Sequence, residues 1–175
     1  MSSWKIINAS CVEQNVDAIV NASNKYLVSG GGVCGAIFQK AGFKELREAC
    51  EKIETPLKDG DAVITPSFGI PNAKAIIHAV GPNFGITPKA YPELKKAYYN
   101  SLLVLKENNY HSIAFPLISA GIFGFGETHP AEVSAKEFIK AYQEFTEEYP
   151  DYEINALLCA FSKQEMKEIE NLKEV

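Results

Sequence analysis

Two glycine-rich stretches are the parts of this sequence whose residue types and spacing could do chemistry. The first runs Asn21-Ala22-Ser23-Asn24 and, after Lys25-Tyr26-Leu27-Val28, continues Ser29-Gly30-Gly31-Gly32-Val33-Cys34-Gly35-Ala36. Three consecutive glycines let a backbone approach a ligand closely and take positive φ. A helical pattern starts at once, so the free amides and positive end of that helix point toward the loop. The arrangement suits a diphosphate; a flexible surface loop would read the same from these residues alone. The second stretch is Pro116-Leu117-Ile118-Ser119-Ala120-Gly121-Ile122-Phe123-Gly124-Phe125-Gly126, whose glycines punctuate a turn that sets two aromatics beside a phosphate-sized cradle. Each stretch follows an apolar run that reads as a strand, and two loops at the carboxyl ends of strands could grip both ends of a pyrophosphate.

Other chemistries fit less well. Gly30-x-Gly32-x-x-Gly35 formally matches the dinucleotide fingerprint, but eight residues separate Asn21 from Gly30, where the fingerprint should follow its strand directly. Its ribose-binding acid should end a second strand, whereas Glu48 and Glu51 fall in a helical stretch. Ser119 lacks the G-x-S-x-G frame of a nucleophile elbow, and there is no Walker sequence. The cysteines Cys11, Cys34, Cys50 and Cys159 are scattered, with no CxxC and no histidine at ligand spacing. No metal, no cofactor and no disulfide framework are therefore expected, and a reduced compartment fits. His78, His111 and His129 offer Cys34 no recognisable partner, so Cys34 reads as a small packing residue rather than a nucleophile.

Alternating strands and helices must position these loops. Strands fit 4–8, 16–21, 61–66, 74–80, 112–117 and 153–160, and helices fit 33–41, 44–53, 91–107, 131–147 and 163–172. The strands are rich in Ile, Val and Ala, as strands covered on both faces should be. Such alternation implies a largely parallel sheet with helices on both sides. Thr128 reads as an N-cap ahead of Pro130, and Ser162 with Glu165 makes a capping box. The stripes Ala131, Ala135, Phe138, Tyr142, Phe145 and Tyr91, Leu94, Tyr98, Leu102, Leu105 read as core packing against the sheet, with no chemistry assigned.

The 175 residues suit one domain spanning 1–175. Net charge is −5, with acids gathered between Glu144 and Glu153, which argues against a nucleic-acid stripe. An anionic small ligand stays open, because backbone amides bind phosphates without Lys or Arg. No apolar run reaches the roughly 18 residues of a membrane span, and Met1-Ser2-Ser3-Trp4-Lys5 does not open a signal peptide. A cytoplasmic monomer with no membrane partner is the expectation.

The stretches VDAIVNASN, GGGVCGAI, AKAIIHAVGP, NSL and FPLISAGIFG, in that order and spacing, resemble the macrodomain family over about residues 5 to 165. The resemblance is strongest to enzymes that remove mono-ADP-ribose from acidic side chains, and to viral macrodomains. It implies a three-layer α/β/α fold with a mixed, mostly parallel sheet of six or seven strands. It also implies ADP-ribose and mono-ADP-ribosylated proteins as partners. On that likeness Gly30, Gly31, Gly32, Val33 and Ala36 form the first wall of the diphosphate site, beside Ala22. Pro116, Leu117, Ser119, Ala120, Gly121, Ile122 and Phe123 form the second, with Phe123 against the distal ribose. Asn24 matches the asparagine that holds that ribose for reaction, though a turn residue with local backbone bonds would read the same. At the adenine end stand Ser10, Cys11 and Phe161, the last equally readable as a core aromatic.

Two positions depart from the family. Where it usually has an Asp that accepts a hydrogen bond from the adenine amino group, this chain reads Ala9-Ser10-Cys11. Ten residues after Asn24, where many of the hydrolases carry Asp, stands Cys34; alphavirus-type macrodomains share Gly-Val-Cys there and are hydrolases. The implied activity is hydrolysis of mono-ADP-ribose from Asp or Glu side chains, with deacetylation of O-acetyl-ADP-ribose in the same pocket. The alternative is a non-catalytic reader of ADP-ribose or ADP-ribosylated proteins.

Overall fold

The computed structural model describes residues 1–172. In chain order the elements are β1 (Ser3–Asn8), β2 (Ala18–Ser23), α1 (Gly32–Ala41), α2 (Phe43–Glu51), β3 (Ala62–Pro66), β4 (Ala75–Val80), α3 (Tyr91–Glu107), β5 (Ser112–Pro116), α4 (Pro130–Glu148), β6 (Asn155–Ala160) and α5 (Lys163–Ile169). Two short 3-10 turns, Cys11–Glu13 and Ile122–Gly124, are added to what the sequence pattern indicates. The six strands form one sheet in the order β1-β6-β5-β2-β4-β3. Every ladder is parallel except β3 with β4.

The period-two alternation of strand side chains divides the core in two. Ala18 and Val20 of β2, Ile77 and Ala79 of β4, and Ile113 and Phe115 of β5 pack with α3, α4 and α5. The residues between them, Ile19, Ile76 and Ala114, pack with Ile37 and Phe38 of α1 and Leu46 of α2. Helices thus cover both faces, giving the three-layer α/β/α architecture around a mixed, mostly parallel sheet. Both helical stripes lie in the larger of these cores.

Among the expected boundaries that move, two do so for identifiable reasons. The second strand begins at Ala18 rather than residue 16, because the Val16 amide is taken by Asn72 O and the Asp17 carboxylate accepts from the His111 and Ser112 amides. The shift carries Ala22 and Ser23 into the strand and thereby to the edge of the site. Thr128 does not cap α4; the N-cap is His129, the residue directly before Pro130, and it has no side-chain capping bond. A residue preceding proline is held out of the helical region, which fixes the boundary there. The last helix ends at Ile169 rather than 172, while its Ser162–Glu165 capping box forms as expected. Among the described residues no helix is long and apolar enough to cross a membrane.

Candidate ligand-binding cleft

The central pair of strands sets the position of the site. The β2–β4 ladder runs through six residue pairs, but β2 and β5 pair only at Ala18↔Ile113 and Ile19↔Ala114. Beyond those pairs the two parallel strands part toward their carboxyl ends, where open α/β sheets hold their ligands. The opening is a cleft of about 710 Å³. One set of lining residues follows β2: Ala22, Ser23, Asn24, Gly30, Gly31, Gly32, Val33, Cys34 and Ala36. A second follows β5: Pro116, Leu117, Ile118, Ser119, Gly121, Ile122 and Phe123. A third, Ala9, Ser10, Cys11, Val12, Cys159, Phe161 and Glu165, comes from the turn after β1, the end of β6 and the start of α5, and Gly81 follows β4.

Every site residue expected from the sequence lines this cleft except Ala120. Ser119 takes a left-handed backbone with φ of 60°, and after that turn Ala120 packs against the larger core instead. The residues missed are Ala9, Val12, Ser23, Gly81, Ile118, Cys159 and Glu165. Ser23 and Ile118 lie within the two glycine-rich stretches themselves, and two others carried a signal of their own. Gly81-Pro82 punctuates a strand end, and Glu165 is visible as a helix cap, a role that does not announce a second one in a cleft.

The glycines fall into two physical classes. A Cβ built on Gly30, Gly31 or Gly121 would meet no atom within 4 Å. The fold does not need the missing side chains at those positions, and the space they leave belongs to the cleft. By contrast, a Cβ on Gly81 would lie 2.3 Å from Ser119 Oγ and 2.4 Å from Ile118 Cγ2. Here the glycine admits the second loop, and Ser119 Oγ donates to Pro82 O at 2.7 Å to hold it. The N-cap of α1 is Gly31, with no side-chain capping bond. The first-turn amides therefore keep their donors free for an anion, reinforced by the helix dipole.

The second loop is anchored from below by a buried ring of hydrogen bonds. The Ile118 amide donates to Tyr98 Oη at 3.0 Å, Tyr98 Oη meets Ser134 Oγ, and Ser134 Oγ donates to Ile118 O. Both backbone polar groups of Ile118, two residues beyond β5, are thus held by side chains from α3 and α4. Further along, Phe123 O accepts from the Phe84 amide at 2.7 Å.

Asn24 is the hinge of the first loop, which is a fixed turn rather than a loose one. Its Oδ1 accepts from the Tyr26 and Val28 amides at 3.0 and 3.2 Å, and its Nδ2 donates to Val28 O at 2.8 Å. The acceptor is saturated; one N–H remains to offer a ligand hydroxyl. Cys34 is buried, and its Sγ lies 3.8 Å from Val28 O, inside the smaller core. This is the environment of a packing residue.

At the other end Ser10 caps the 3-10 turn, its Oγ accepting from the Val12 amide at 3.3 Å. Burial pushes the Cys11 thiol well above its ordinary range and the Cys159 thiol up to about 12. Both are neutral and behave as apolar lining. Phe161 is not a core aromatic, for it is 78% exposed. No Lys, Arg or His lines the cleft among the described residues, and no group of three or more His, Cys, Asp or Glu could hold a metal. What the cleft offers is backbone amides at its middle, one asparagine N–H, and at one end a flat aromatic face and the carboxylate of Glu165. Those features fit a phosphorylated ligand bearing a planar base.

Comparison with known proteins agrees with this geometry. Residues 20–134 match the Macro domain family. The O-acetyl-ADP-ribose deacetylase of Salmonella typhimurium is 42% identical over 81% of this chain and 82% of its own length. An Oceanobacillus iheyensis macrodomain solved with ADP superposes with a TM-score of 0.83 at 31% identity, over 97% of this chain and 88% of that one. A Trypanosoma brucei macrodomain in complex with ADP-ribose gives a TM-score of 0.83 at 28% identity, over 95% of this chain and 67% of that one.

Proposed function

The chain belongs to the macrodomain family, and on that premise we propose that it binds ADP-ribose in the β2–β5 cleft and hydrolyses mono-ADP-ribose esters of Asp and Glu side chains. The observation that carries the reading is the empty Cβ space at Gly30, Gly31 and Gly121, which the fold does not use and a diphosphate would fill. The uncapped first turn of α1 supplies amide donors to one side of that diphosphate, and the loop after Ser119 closes the other. The distal ribose then lies between Asn24 and Phe123, with the remaining Asn24 N–H directed to a ribose hydroxyl. The adenine lies toward Phe161 and Ser10.

In the reaction a water attacks the anomeric carbon, the ester C–O bond breaks, and the carboxylate leaves on the protein. The lining carries no histidine, its thiols Cys11 and Cys159 are neutral, Cys34 packs in the smaller core and Glu165 is engaged in the cap of α5, so catalysis rests on placement and preorganised dipoles. The ligand's own phosphate polarises the water. Removal of the acetyl group from O-acetyl-ADP-ribose, the activity named for the Salmonella relative, cleaves another ester on the same ribose and fits the same cleft.

The near absence of ionisable groups in the lining also favours a second reading, a non-catalytic reader of ADP-ribosylated proteins. One experiment separates them. The purified chain is incubated with a protein mono-ADP-ribosylated on glutamate and, separately, with O-acetyl-ADP-ribose, and free ADP-ribose is followed by mass spectrometry. Release from the protein supports the hydrolase. Turnover of the acetyl ester alone confines the activity to the small ester, and tight ADP-ribose binding with turnover of neither leaves the reader.

A further inference from the structure

We infer that Glu165 determines base specificity in the cleft, accepting a hydrogen bond from the exocyclic amine of an adenine stacked on Phe161. The inference rests on the ADP-ribose reading and adds to it a residue on a different element from the position where the family places its acidic group.

Glu165 is the only Asp, Glu, Lys or Arg among the described residues that line the cleft. The cleft is also lined by Ser10, which follows β1, by Cys159 near the end of β6, and by Phe161, four residues before Glu165 in the chain. Burial keeps Cys159 neutral, and Ser10 Oγ already accepts from the Val12 amide. Ser10 therefore supplies no charge and only part of its acceptor capacity. The carboxylate of Glu165 is the remaining strong acceptor at this end, and a carboxylate accepts from an amine more strongly than a hydroxyl does.

The carboxylate is also held in place. Glu165 Oε1 accepts from the Ser162 amide at 3.2 Å and from Ser162 Oγ at 3.3 Å, while Oε2 makes no hydrogen bond among the described residues. One oxygen is spent on the capping box, which orients the side chain, and the other is left to a ligand. The turn that carries Phe161 and Ser162 is pinned in its own right. Asn8 Nδ2 lies within hydrogen-bonding distance of Ala160 O, Phe161 O and Ser162 O, at 2.9, 3.4 and 3.2 Å. The exposed ring of Phe161 has a free face for a heteroaromatic base. A fixed acceptor close to a stacking face selects a base that bears a donor at its edge over one that bears a carbonyl there.

The test compares ADP-ribose with inosine diphosphate ribose, in which a carbonyl replaces the amine, by calorimetry on wild type and Glu165→Gln. Glutamine keeps an oxygen for the Ser162 amide, so the cap and the melting temperature should stay close to wild type, and it puts an NH2 where Oε2 stood. Wild type should prefer ADP-ribose. In Glu165→Gln the affinity for ADP-ribose should fall about tenfold, as for one lost charge-assisted bond, and the preference for adenine should vanish or reverse. Adding Ser10→Asp to Glu165→Gln should restore it, since Asp also caps the 3-10 turn. A native variant that retains the wild-type preference overturns the inference alone. Binding of neither ligand by the wild-type chain overturns the ADP-ribose reading and this inference together.

Discussion

The phenolic oxygen of Tyr98, in the middle of α3, accepts a hydrogen bond from the backbone amide of Ile118 at 3.0 Å. Through that contact a helix buried on one face of the sheet fixes the first residues of the loop that closes the cleft. Burial raises the Tyr98 hydroxyl far above its ordinary range, so it is a permanent neutral member of the ring with Ser134. Tyr98→Phe leaves the Ile118 amide buried without its acceptor, at a cost of about 1–3 kcal/mol. Urea denaturation should show that loss, and calorimetry should show weaker ADP-ribose binding because the loop is less well placed. Ser134→Ala should do the same, and the double variant should lose less than the two single losses added, because both act on one ring.

Gly31 gives the second prediction. It is the N-cap of α1 with an extended backbone, φ −87° and ψ −174°, that any residue adopts. Serine there would turn its hydroxyl on the first-turn amides. Gly31→Ser should leave the fold as stable or a few tenths of a kcal/mol more stable, yet weaken ADP-ribose binding roughly tenfold or more by taking donors from the diphosphate. Gly32 is a poorer probe, since its φ of 59° strains any side chain whatever the ligand does. Gly81→Ala should show the opposite pattern, a lower melting temperature from the clash with Ser119. A thermal melt and a titration of each variant check both halves, and unimpaired binding by Gly31→Ser would remove the diphosphate from this helix end.

These cases mark what the sequence could show. The strand and helix order and both loops were legible because each follows from local pattern: apolar runs, glycine spacing, a capping box. Most of the lining, Ser10, Cys11 and Phe161 among it, came only with the family resemblance, and seven lining residues came with neither. Tyr98 shows the limit. It sits in a regular apolar stripe that marks it as core, which is right for its ring; its hydroxyl meets Ile118 twenty residues away, and no local pattern encodes that meeting. Glu165 was legible as a cap and not as lining, because only the closing of β6 against β1 brings it to the cleft. The same holds for Gly81, whose need for a bare Cα arises from Ser119 across the fold.

The pH response should be governed on the acid side by His78. It is buried on β4, with Nδ1 3.0 Å from Asn21 Nδ2 and Nε2 2.9 Å from Thr65 Oγ1. The Asn21 amide can only donate through that nitrogen, so Nε2 carries the proton and donates to Thr65. Burial lowers the His78 pKa from 6.5 to about 4. The unfolded chain binds the extra proton first as pH falls, so stability is full above about 6.5 and is lost progressively down to about 4. The slope approaches ~1.4 kcal/mol per pH unit inside that window. Urea midpoints at pH 7.5, 6.5, 5.5 and 4.5 should stay level between the first two and then fall. In His78→Gln the decline between pH 6.5 and 5 should be shallower; an equal decline would assign the effect to other groups.

Asn24 and Cys34 together decide between hydrolase and reader. Cys34 packs in the smaller core and touches Val28 O only through a long thiol contact, so Cys34→Ala should cost about 1 kcal/mol of stability and leave turnover largely intact. Cys34→Asp would bury a carboxylate among Ile37, Phe38 and Leu27, and should lower stability more than it helps any chemistry. Asn24 is different because it serves both the loop and the ligand. Asn24→Ala removes the two bonds to Oδ1 and the bond to Val28 O, so its melting temperature must be measured beside its activity. If the spare N–H sets the distal ribose for attack, release of ADP-ribose from a glutamyl ester should fall on the order of 100-fold, as for a misplaced reacting centre. Affinity for free ADP-ribose should fall by only ~1 kcal/mol, the worth of one neutral hydrogen bond. Equal losses in rate and affinity would make Asn24 a part of the loop's framework alone. Inactivity of Cys34→Ala with binding intact would instead return the thiol to the chemistry, against the packing seen around it.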